Sequence, residues 1–294
     1  MQERESQLVV GLDPDPARLW PRALELTGGG EGSPAERAAR AVAAHCRLVI
    51  DATAEQCVAV KPQVACFERL GASGWKALQE VVTAAQERGL LVICDAKRGD
   101  FDVTAGVYAQ AYFGQTPTPF GPVPGLGTDA MTVNPLLGGD SLLPFLTTAR
   151  ALGDGLFVLV RTSNPGAADV QDQQLSGGGT VSGRLAALVA ELGAGGIGRA
   201  GISDVGAVTG ATVPGLLPAL REAMPNAPFL LPGVGAQGGR VQDLAPAFAP
   251  GPAGGLVSAS RGIVQAYEQL GGKPEEAARA EASRLRELAW GLPR

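Results

Sequence analysis

The stretch LLVICDAKRGD, residues 90–100, decides the interpretation of this 294-residue chain. Its first five residues are apolar, two of them β-branched, and so short a run predicts a buried β-strand rather than a helix. Asp95 ends the run and Lys97 follows two residues later. Because side chains alternate along a strand, both should project to the same side if the extended backbone continues through Ala96. The simplest interpretation is a surface ion pair, which contributes little to stability. The rest of the chain favours a functional site.

Composition and charge exclude several classes of protein. Apolar residues make up 45% of the chain, which is ordinary for a protein with a substantial core. The net charge of -5 provides no basic surface for nucleic acid. No apolar run approaches the roughly 18 residues of a membrane span, and the N-terminus MQERESQ is unlike a signal peptide. We therefore expect a cytoplasmic protein.

Cysteine and histidine give no sign of a metal site. The four cysteines lack CxxC spacing, so we expect small buried thiols in a reducing compartment. The single histidine, His45, lies in a helical pattern and cannot form a histidine-based metal cluster. We expect it to be a structural residue with its hydrogen bonds satisfied.

Strand signals recur eight times along the chain, and most are followed by helical periodicity. Each is a short apolar run that stops at polar or turn-forming residues. The predicted strands cover residues 8–12, 57–60, 90–95, 130–133, 156–160, 202–208, 229–231 and 256–257. The predicted helices cover residues 35–54, 70–88, 101–113, 141–151, 185–192, 214–223 and 275–290. This order indicates an α/β protein built from repeated βα units.

Polar residues stand at the C-terminal end of nearly every predicted strand, as Asp13 and Lys61 do after the first two. This arrangement is typical of a (β/α)8 TIM barrel, whose active site lies on that face. We predict a single barrel domain over residues 1–294, with a Pro/Gly-rich loop at 114–129 and a C-terminal helix at 275–290. Residues 114–127 hold too much Pro and Gly for regular structure. An open doubly wound sheet is the alternative, but no GxGxxG motif opens a first helix.

The loops after the seventh and eighth strands predict a phosphate site, because such barrels commonly bind phosphate there. Gly233 and Gly235 let backbone N–H groups approach an anion, and Gln237 can donate from its amide. Arg261, in the second loop, can hold two phosphate oxygens with its planar guanidinium group. Either loop alone could be a glycine-rich turn or a solvated arginine. Their joint presence at the expected places favours the phosphate site.

Taken in order, these segments resemble orotidine 5′-monophosphate decarboxylases, most closely the longer bacterial subgroup of that family. The motif DxKxxD at 95–100 is shared with related phosphosugar enzymes, whereas the ordered set is far more specific. The matching pieces are GLDPDP at 11–16, VKPQVACFE at 60–68, DAKRGD at 95–100, TVNPLLGGDS at 132–141, TSNPGA at 162–167, GAVTGAT at 206–212, PGVGAQGG at 232–239 and SRGI at 260–263. They span almost the entire chain.

The resemblance implies roles for individual residues. It implies a catalytic array of alternating charge made of Lys61, Asp95, Lys97 and Asp100. It also implies a homodimer in which Asp100 and Thr104 reach into the partner's site. Asp13 would contact the ribose and Ser163 the pyrimidine, while the two loops bind the phosphate. The implied substrate-binding set is Asp13, Thr104, Ser163, Gly233, Gly235, Gln237, Ser260, Arg261 and Gly262.

The implied reaction is the decarboxylation of orotidine 5′-monophosphate to uridine 5′-monophosphate in de novo pyrimidine biosynthesis, with no cofactor and no metal. Preorganised charge would stabilise a C6 carbanion that Lys97 then protonates. Two other functions stay open. One is a Mg²⁺-dependent phosphosugar aldolase or decarboxylase of the same superfamily, against which Lys61 and the TSNP turn at 162–165 argue. The other is a noncatalytic nucleotide-binding barrel, against which the intact charge array argues.

Overall fold

Eight parallel strands close into a barrel in the computed structural model, which describes residues 1–28 and 30–293. The strands of the described chain are β1 Leu8–Leu12, β2 Ala59–Pro62, β3 Leu91–Arg98, β4 Gln115–Thr116, β5 Val123–Pro124, β6 Ala130–Val133, β7 Gly155–Arg161, β8 Val205–Thr209, β9 Phe229–Pro232 and β10 Gly255–Ala259. The barrel order is β1-β10-β9-β8-β7-β6-β3-β2, and β4 pairs with β5 in a separate antiparallel hairpin. The predicted (β/α)8 fold is confirmed.

Helices surround the barrel. They are α1 Pro21–Thr27, α2 Pro34–Thr53, α3 Val64–Glu68, α4 Gly71–Glu87, α5 Asp102–Tyr112, α6 Gly139–Leu152, α7 Val181–Gly193, α8 Leu217–Ala223, α9 Arg261–Val264, α10 Tyr267–Leu270 and α11 Pro274–Trp290. Short 3₁₀ segments cover Pro165–Asp169, Ala194–Gly196, Pro214–Leu216, Val241–Phe248 and Pro252–Gly254. Within the described ranges, no helix is both long and apolar enough to cross a membrane.

Two apolar layers hold the barrel together. One cluster takes buried residues from all eight barrel strands, among them Val9, Ile93 and Phe157, and can form only inside the barrel. A larger cluster fills the space between the strands and the helices. Because the strands are buried on both faces, their sequences are continuous apolar runs rather than alternating ones. This makes the polar residues at the strand ends conspicuous.

Local signals account for the longest helix. Ser33 caps α2 by accepting a hydrogen bond from the Glu36 N–H at 3.3 Å, while Glu36 accepts one from the Ser33 N–H at 2.7 Å. On the same helix, Nδ1 of His45 accepts from the Trp20 N–H at 3.1 Å. Burial lowers the pKa of His45 to about 4, so the ring is neutral. The expectation of a structural histidine is confirmed.

The structure corrects several details of the sequence-based interpretation. The segment 114–127 contains the hairpin β4–β5, although no regular structure was expected there. The sixth barrel strand runs over Val205–Thr209 rather than 202–208. The short helices α1 and α3 were not predicted. The second barrel strand runs over Ala59–Pro62 rather than 57–60. The segment after β9, for which no helix was predicted, holds the 3₁₀ helix Val241–Phe248.

Candidate active site

A cavity of about 430 Å³ opens at the C-terminal end of the barrel. It is lined by side chains that follow the strands, as expected for this fold. The predicted site residues that line it are Asp13, Lys61, Asp95, Lys97, Ser163, Gly233, Gln237, Ser260 and Arg261. The barrel therefore brings together most of the residues that the sequence singled out, although they are spread over some 250 positions.

One end of the cavity is built around the carboxylate of Asp95. Its Oδ2 accepts from Lys61 Nζ at 2.7 Å and from Gln63 Nε2 at 3.2 Å. Its Oδ1 accepts from Lys97 Nζ at 2.5 Å and from Thr132 Oγ1 at 3.0 Å. Asp95 and Lys61 are buried, whereas the Lys97 side chain is 45% exposed to the cavity. Both carboxylate oxygens are thus engaged, and of the three charged groups Lys97 is the one most exposed to a ligand in the cavity.

Neighbouring charges fix the ionisation of the buried groups. Burial alone would raise the pKa of Asp95, but the ammonium groups of Lys61 and Lys97 outweigh burial and hold that pKa well below its usual range. Burial also opposes the charge of Lys61, yet the carboxylates of Asp95 and Asp13 hold the pKa of its ammonium group above the usual value. The buried pair therefore stays ionised through the neutral range.

The backbone brings Asp95 and Lys97 together without the side-chain alternation of an extended strand. Lys97 has φ of 48°, in the left-handed region, so the extended geometry expected through Ala96 ends at Lys97. The register between β3 and β6 shifts between Cys94 and Arg98. The expectation that Asp95 and Lys97 come within reach of each other is nevertheless confirmed. A bulge, rather than a continuous strand, aims Lys97 into the cavity.

Glycine loops form the opposite end of the cavity. Gly233, Gly235 and Gly238 have φ of 102°, 75° and 91°, which other residues rarely adopt. A Cβ on Gly233 would lie within 3.3 Å of Ser163, Thr212 and Gln237, so only glycine allows these loops to approach so closely. The side chains of Gln237 and Arg261 are exposed toward the opening. Within the part of the chain that the structure describes, Arg261 takes part in no ion pair.

A hydrogen-bonded loop presents Ser163 between these two ends. Thr212 Oγ1 donates to the Ser163 carbonyl at 3.0 Å. Gln171 Oε1 accepts from the Thr162 N–H at 2.8 Å. Behind the loop, the buried Arg161 holds Asp172 with two bonds of 2.7 and 2.9 Å. These contacts fix the conformation of the turn that carries Ser163.

Comparison with known proteins agrees with this geometry. A model of the orotidine 5′-phosphate decarboxylase / HUMPS family matches residues 6–280. The chain belongs to this family. It is 42% identical to the orotidine 5′-phosphate decarboxylase of Deinococcus radiodurans, over 94% of this chain and 90% of the relative, and 43% identical to that of Rhodopirellula baltica, over 88% and 84%. The solved structure of Leishmania donovani OMP decarboxylase is similar with a TM-score of 0.72 at 30% identity, covering 99% of this chain and 97% of that one.

Four of the predicted site residues do not line the cavity of this chain. Gly235 and Gly262 belong to the two loops but do not line the cavity. Asp100 is half-buried, and its Oδ1 accepts from the Phe101 N–H at 2.9 Å. Thr104 is exposed on α5. Among the ion pairs of the described residues, none joins Asp100 to Lys97. Within one chain, the charged array is therefore Lys61, Asp95 and Lys97.

Several polar residues of the cavity were not assigned a role from the sequence, and three of them make contacts that shape the site. Gln63 and Thr132 contact Asp95, and Gln171 holds the Ser163 turn. The first two lie inside the quoted motifs VKPQVACFE and TVNPLLGGDS, which was the available signal. Among residues 1–28 and 30–293, no group of three His, Cys, Asp or Glu side chains is arranged to hold a metal ion.

Proposed function

We propose that this chain decarboxylates orotidine 5′-monophosphate and releases uridine 5′-monophosphate, as a carboxy-lyase of de novo pyrimidine biosynthesis. The observation that carries the proposal is the Lys61–Asp95–Lys97 cluster inside a barrel of this family. It places one exposed ammonium group against a buried, fully bonded carboxylate. Such preorganised charge suits a reaction whose main requirement is to stabilise negative charge on carbon.

The two ends of the cavity orient the substrate. The phosphate binds at the glycine loops, held by backbone N–H groups of Gly233 and Gly262 and by Ser260. Gly235 shapes the first loop, because its own N–H donates to the Gly239 carbonyl at 2.9 Å. Arg261 and Gln237 supply the side-chain donors, and no ion pair within the described part of the chain occupies the guanidinium group of Arg261. Asp13 binds a ribose hydroxyl close to Lys61. Ser163 contacts the pyrimidine, which directs C6 toward Lys97.

The chemistry then needs only one proton donor from the protein. The bond between C6 and the carboxylate breaks, carbon dioxide leaves, and the electron pair remains on C6. The Lys97 ammonium stabilises this carbanion and transfers a proton from Nζ to C6, after which the neutral amine takes a proton from water. Asp95 keeps Lys97 aimed before the transfer, because its Oδ1 accepts a hydrogen bond from Lys97 Nζ at 2.5 Å. The mechanism uses no cofactor.

A homodimer would complete the charge balance of the site. Lys61 is balanced by the carboxylates of Asp95 and Asp13, whereas Lys97 pairs only with Asp95, which it shares with Lys61, among the described residues. We place Asp100 of the partner chain beside Lys97, where it restores the balance, with Thr104 of the partner following it. Apolar side chains around these two residues are exposed in the single chain, namely Phe101, Val103, Val107, Leu136 and Leu137. A second copy would bury this surface.

The cysteines support the expected cytoplasmic location. All four are free thiols, which is the state maintained in a reducing compartment. Three are buried, and burial raises the pKa of the Cys57 thiol to about 12. These thiols are therefore protonated and inert, and they act as small apolar side chains.

The first test follows the ultraviolet absorbance of orotidine 5′-monophosphate with purified protein in a chelator. We expect the orotate signal to disappear with the wild type and to persist with Lys97→Ala. No change with a well-folded wild type would overturn the proposal, and phosphosugar substrates with added Mg²⁺ would then be assayed. Tight binding of uridine 5′-monophosphate without turnover would point to a noncatalytic nucleotide-binding barrel.

The shared site has a separate test in hybrid dimers. Lys97→Ala and Asp100→Ala chains are each expected to be inactive alone. After mixing, one of the two sites in each hybrid dimer has both native residues. Random exchange of an equal mixture makes about half of the dimers hybrids, so about one quarter of wild-type activity should return. No recovery, with subunit exchange verified by differently tagged chains, would exclude the action of Asp100 in the partner's site.

A further inference from the structure

The bulge in β3 leaves backbone N–H groups beside the catalytic amine without their usual acceptors in the neighbouring strand. From Cys94 to Arg98 the chain advances four residues, while the paired strand β6 advances only two, from Met131 to Val133. The extra residues of a bulge lose their ladder partners. A buried N–H group without an acceptor is costly, so each freed donor must be satisfied in another way.

Thr132 lies opposite this bulge and supplies the missing acceptor with its side chain. Its Oγ1 accepts from the backbone N–H of Lys97 at 2.9 Å and donates to Asp95 Oδ1 at 3.0 Å. A hydroxyl carries a single proton, and the Lys97 N–H can only donate, so the direction of both bonds is fixed. Thr132 is 1% exposed, so its hydroxyl rather than bulk water satisfies these two groups.

The same carboxylate oxygen that Thr132 contacts also holds the Lys97 ammonium, at 2.5 Å. One hydroxyl thus joins the main chain of Lys97, which has φ of 48°, to the anion that aims its side chain. We propose that Thr132 is a positioning residue for the reaction. Its hydroxyl bridge fixes the left-handed backbone at Lys97 and the orientation of the Asp95 carboxylate together, so that the ammonium group is directed at the reacting carbon.

This inference rests on the proposed decarboxylation and assigns Thr132 no contact with substrate. The test compares Thr132→Ser, which keeps the hydroxyl, with Thr132→Ala, which differs from it only by that hydroxyl. We expect kcat to fall by about 100-fold in the alanine variant and by no more than about threefold in the serine variant, because a displacement of about 1 Å can have that effect. KM should stay within about twofold in both, since the phosphate end is untouched.

Thr128→Val provides the matched control. Thr128 is equally buried and precedes the other end of β6, but among the described residues its hydroxyl bonds only to the Tyr112 carbonyl, at 3.3 Å. We expect its kcat to equal that of the wild type. Equal kcat values for the serine and alanine variants, or a rise in KM that matches the fall in kcat, would overturn the proposal.

Hydrogen exchange at the Lys97 amide tests the bridge without catalysis. We expect this amide to exchange at least about 10-fold faster in Thr132→Ala than in Thr132→Ser, because only the serine hydroxyl can still accept its hydrogen bond. Equal exchange rates would show that the hydroxyl does not fix the Lys97 backbone. An inactive wild type would refute the proposed function, whereas the exchange comparison would still decide on the bridge.

Discussion

At the end of the cavity formed by β2, β3 and β6, charged side chains hold one another, whereas at the end formed by β9 and β10 they face the opening. Asp95 accepts four hydrogen bonds from side chains, and Lys61 and Thr132 beside it are buried. At the other end, Arg261 has no ion-pair partner among the described residues. The two ends therefore have different tasks. The charged end is preorganised for the reaction before substrate binds, whereas the phosphate end supplies binding energy when a phosphate binds.

Backbone strain also differs between the charged end and the phosphate end of the cavity. At the charged end a lysine occupies the left-handed region, whereas at the phosphate end glycines occupy it. A lysine cannot be replaced there by glycine without loss of its amine, so the surrounding contacts must hold the strained conformation. Glycine needs no such support. The charged end therefore depends on its neighbours far more than the phosphate end does.

The largest expected effect is that of Asp95→Asn. This change removes the carboxylate that pairs with the buried Lys61 ammonium at 2.7 Å, leaving it only the more distant charge of Asp13, and it removes the group that aims Lys97. We expect the free energy of unfolding to fall by about 3–5 kcal/mol and kcat to fall by roughly 10³-fold. Urea unfolding and saturating-substrate assays measure the two effects. A variant as stable as the wild type would show that the pair is not buried in the folded protein.

The pH dependence of stability sharpens this comparison. The pKa of Asp95 is lowered by folding, so its contribution is complete above the unfolded value of about 3.9 and is lost as the pH falls through the folded value. The pKa of Lys61 is raised, so its contribution is complete below about 10.4 and is lost as the pH rises through the folded value. The stability difference between wild type and Asp95→Asn should therefore be constant from about pH 5 to 9 and shrink below about pH 4. A difference that grows on acidification would contradict this sign.

At the phosphate end, Arg261→Met should change binding rather than chemistry. A lost charge-assisted hydrogen bond corresponds to a KM about 10- to 100-fold higher, with kcat within about threefold of the wild type. Arg184→Met, at an exposed arginine of α7 paired with Glu191, is the matched control and should leave both constants unchanged. If Arg261→Met lowered kcat as strongly as it raised KM, the division of tasks between the two ends would be wrong.

The smallest expected effect concerns backbone strain alone. Lys97→Gly should be more stable than Lys97→Ala by about 1 kcal/mol, because only glycine adopts φ of 48° without cost. Gly235→Ala should show the opposite sign, with a loss of about 1 kcal/mol, since its φ is 75° and no atom crowds the added methyl group. Thermal unfolding of the three variants measures both differences. Equal stability of the two Lys97 variants would indicate that the backbone relaxes at the bulge.

The barrel could be predicted from the sequence because its strands are continuous apolar runs that end in polar residues. Local signals alone placed the strand 130–133 and put the start of the helix predicted at 35–54 within one residue of its observed start at Pro34. The helices α1 and α3 span only seven and five residues, and segments this short are marginal without tertiary contacts. The hairpin β4–β5 has two residues in each strand, too few for a periodic pattern.

The charged cluster was predicted for a reason that is only partly correct. We expected side-chain alternation along an extended strand to bring Asp95 and Lys97 together. In the structure, a bulge at Lys97 brings them together instead. The contribution of Thr132 could not be predicted, because it depends on the register between β3 and β6. Register within a barrel is set by packing among all strands and is invisible in any single segment.

The most direct test of the division between the two ends is a crystal structure of the protein with uridine 5′-monophosphate. We expect the phosphate between the Gly233 loop and Arg261, and C6 of the ring about 3 Å from Lys97 Nζ, within reach for proton transfer. We also expect the partner subunit's Asp100 beside Lys97. A phosphate bound at Lys61 and Lys97, with the ring at the glycine loops, would show that the two ends do not divide the tasks in this way.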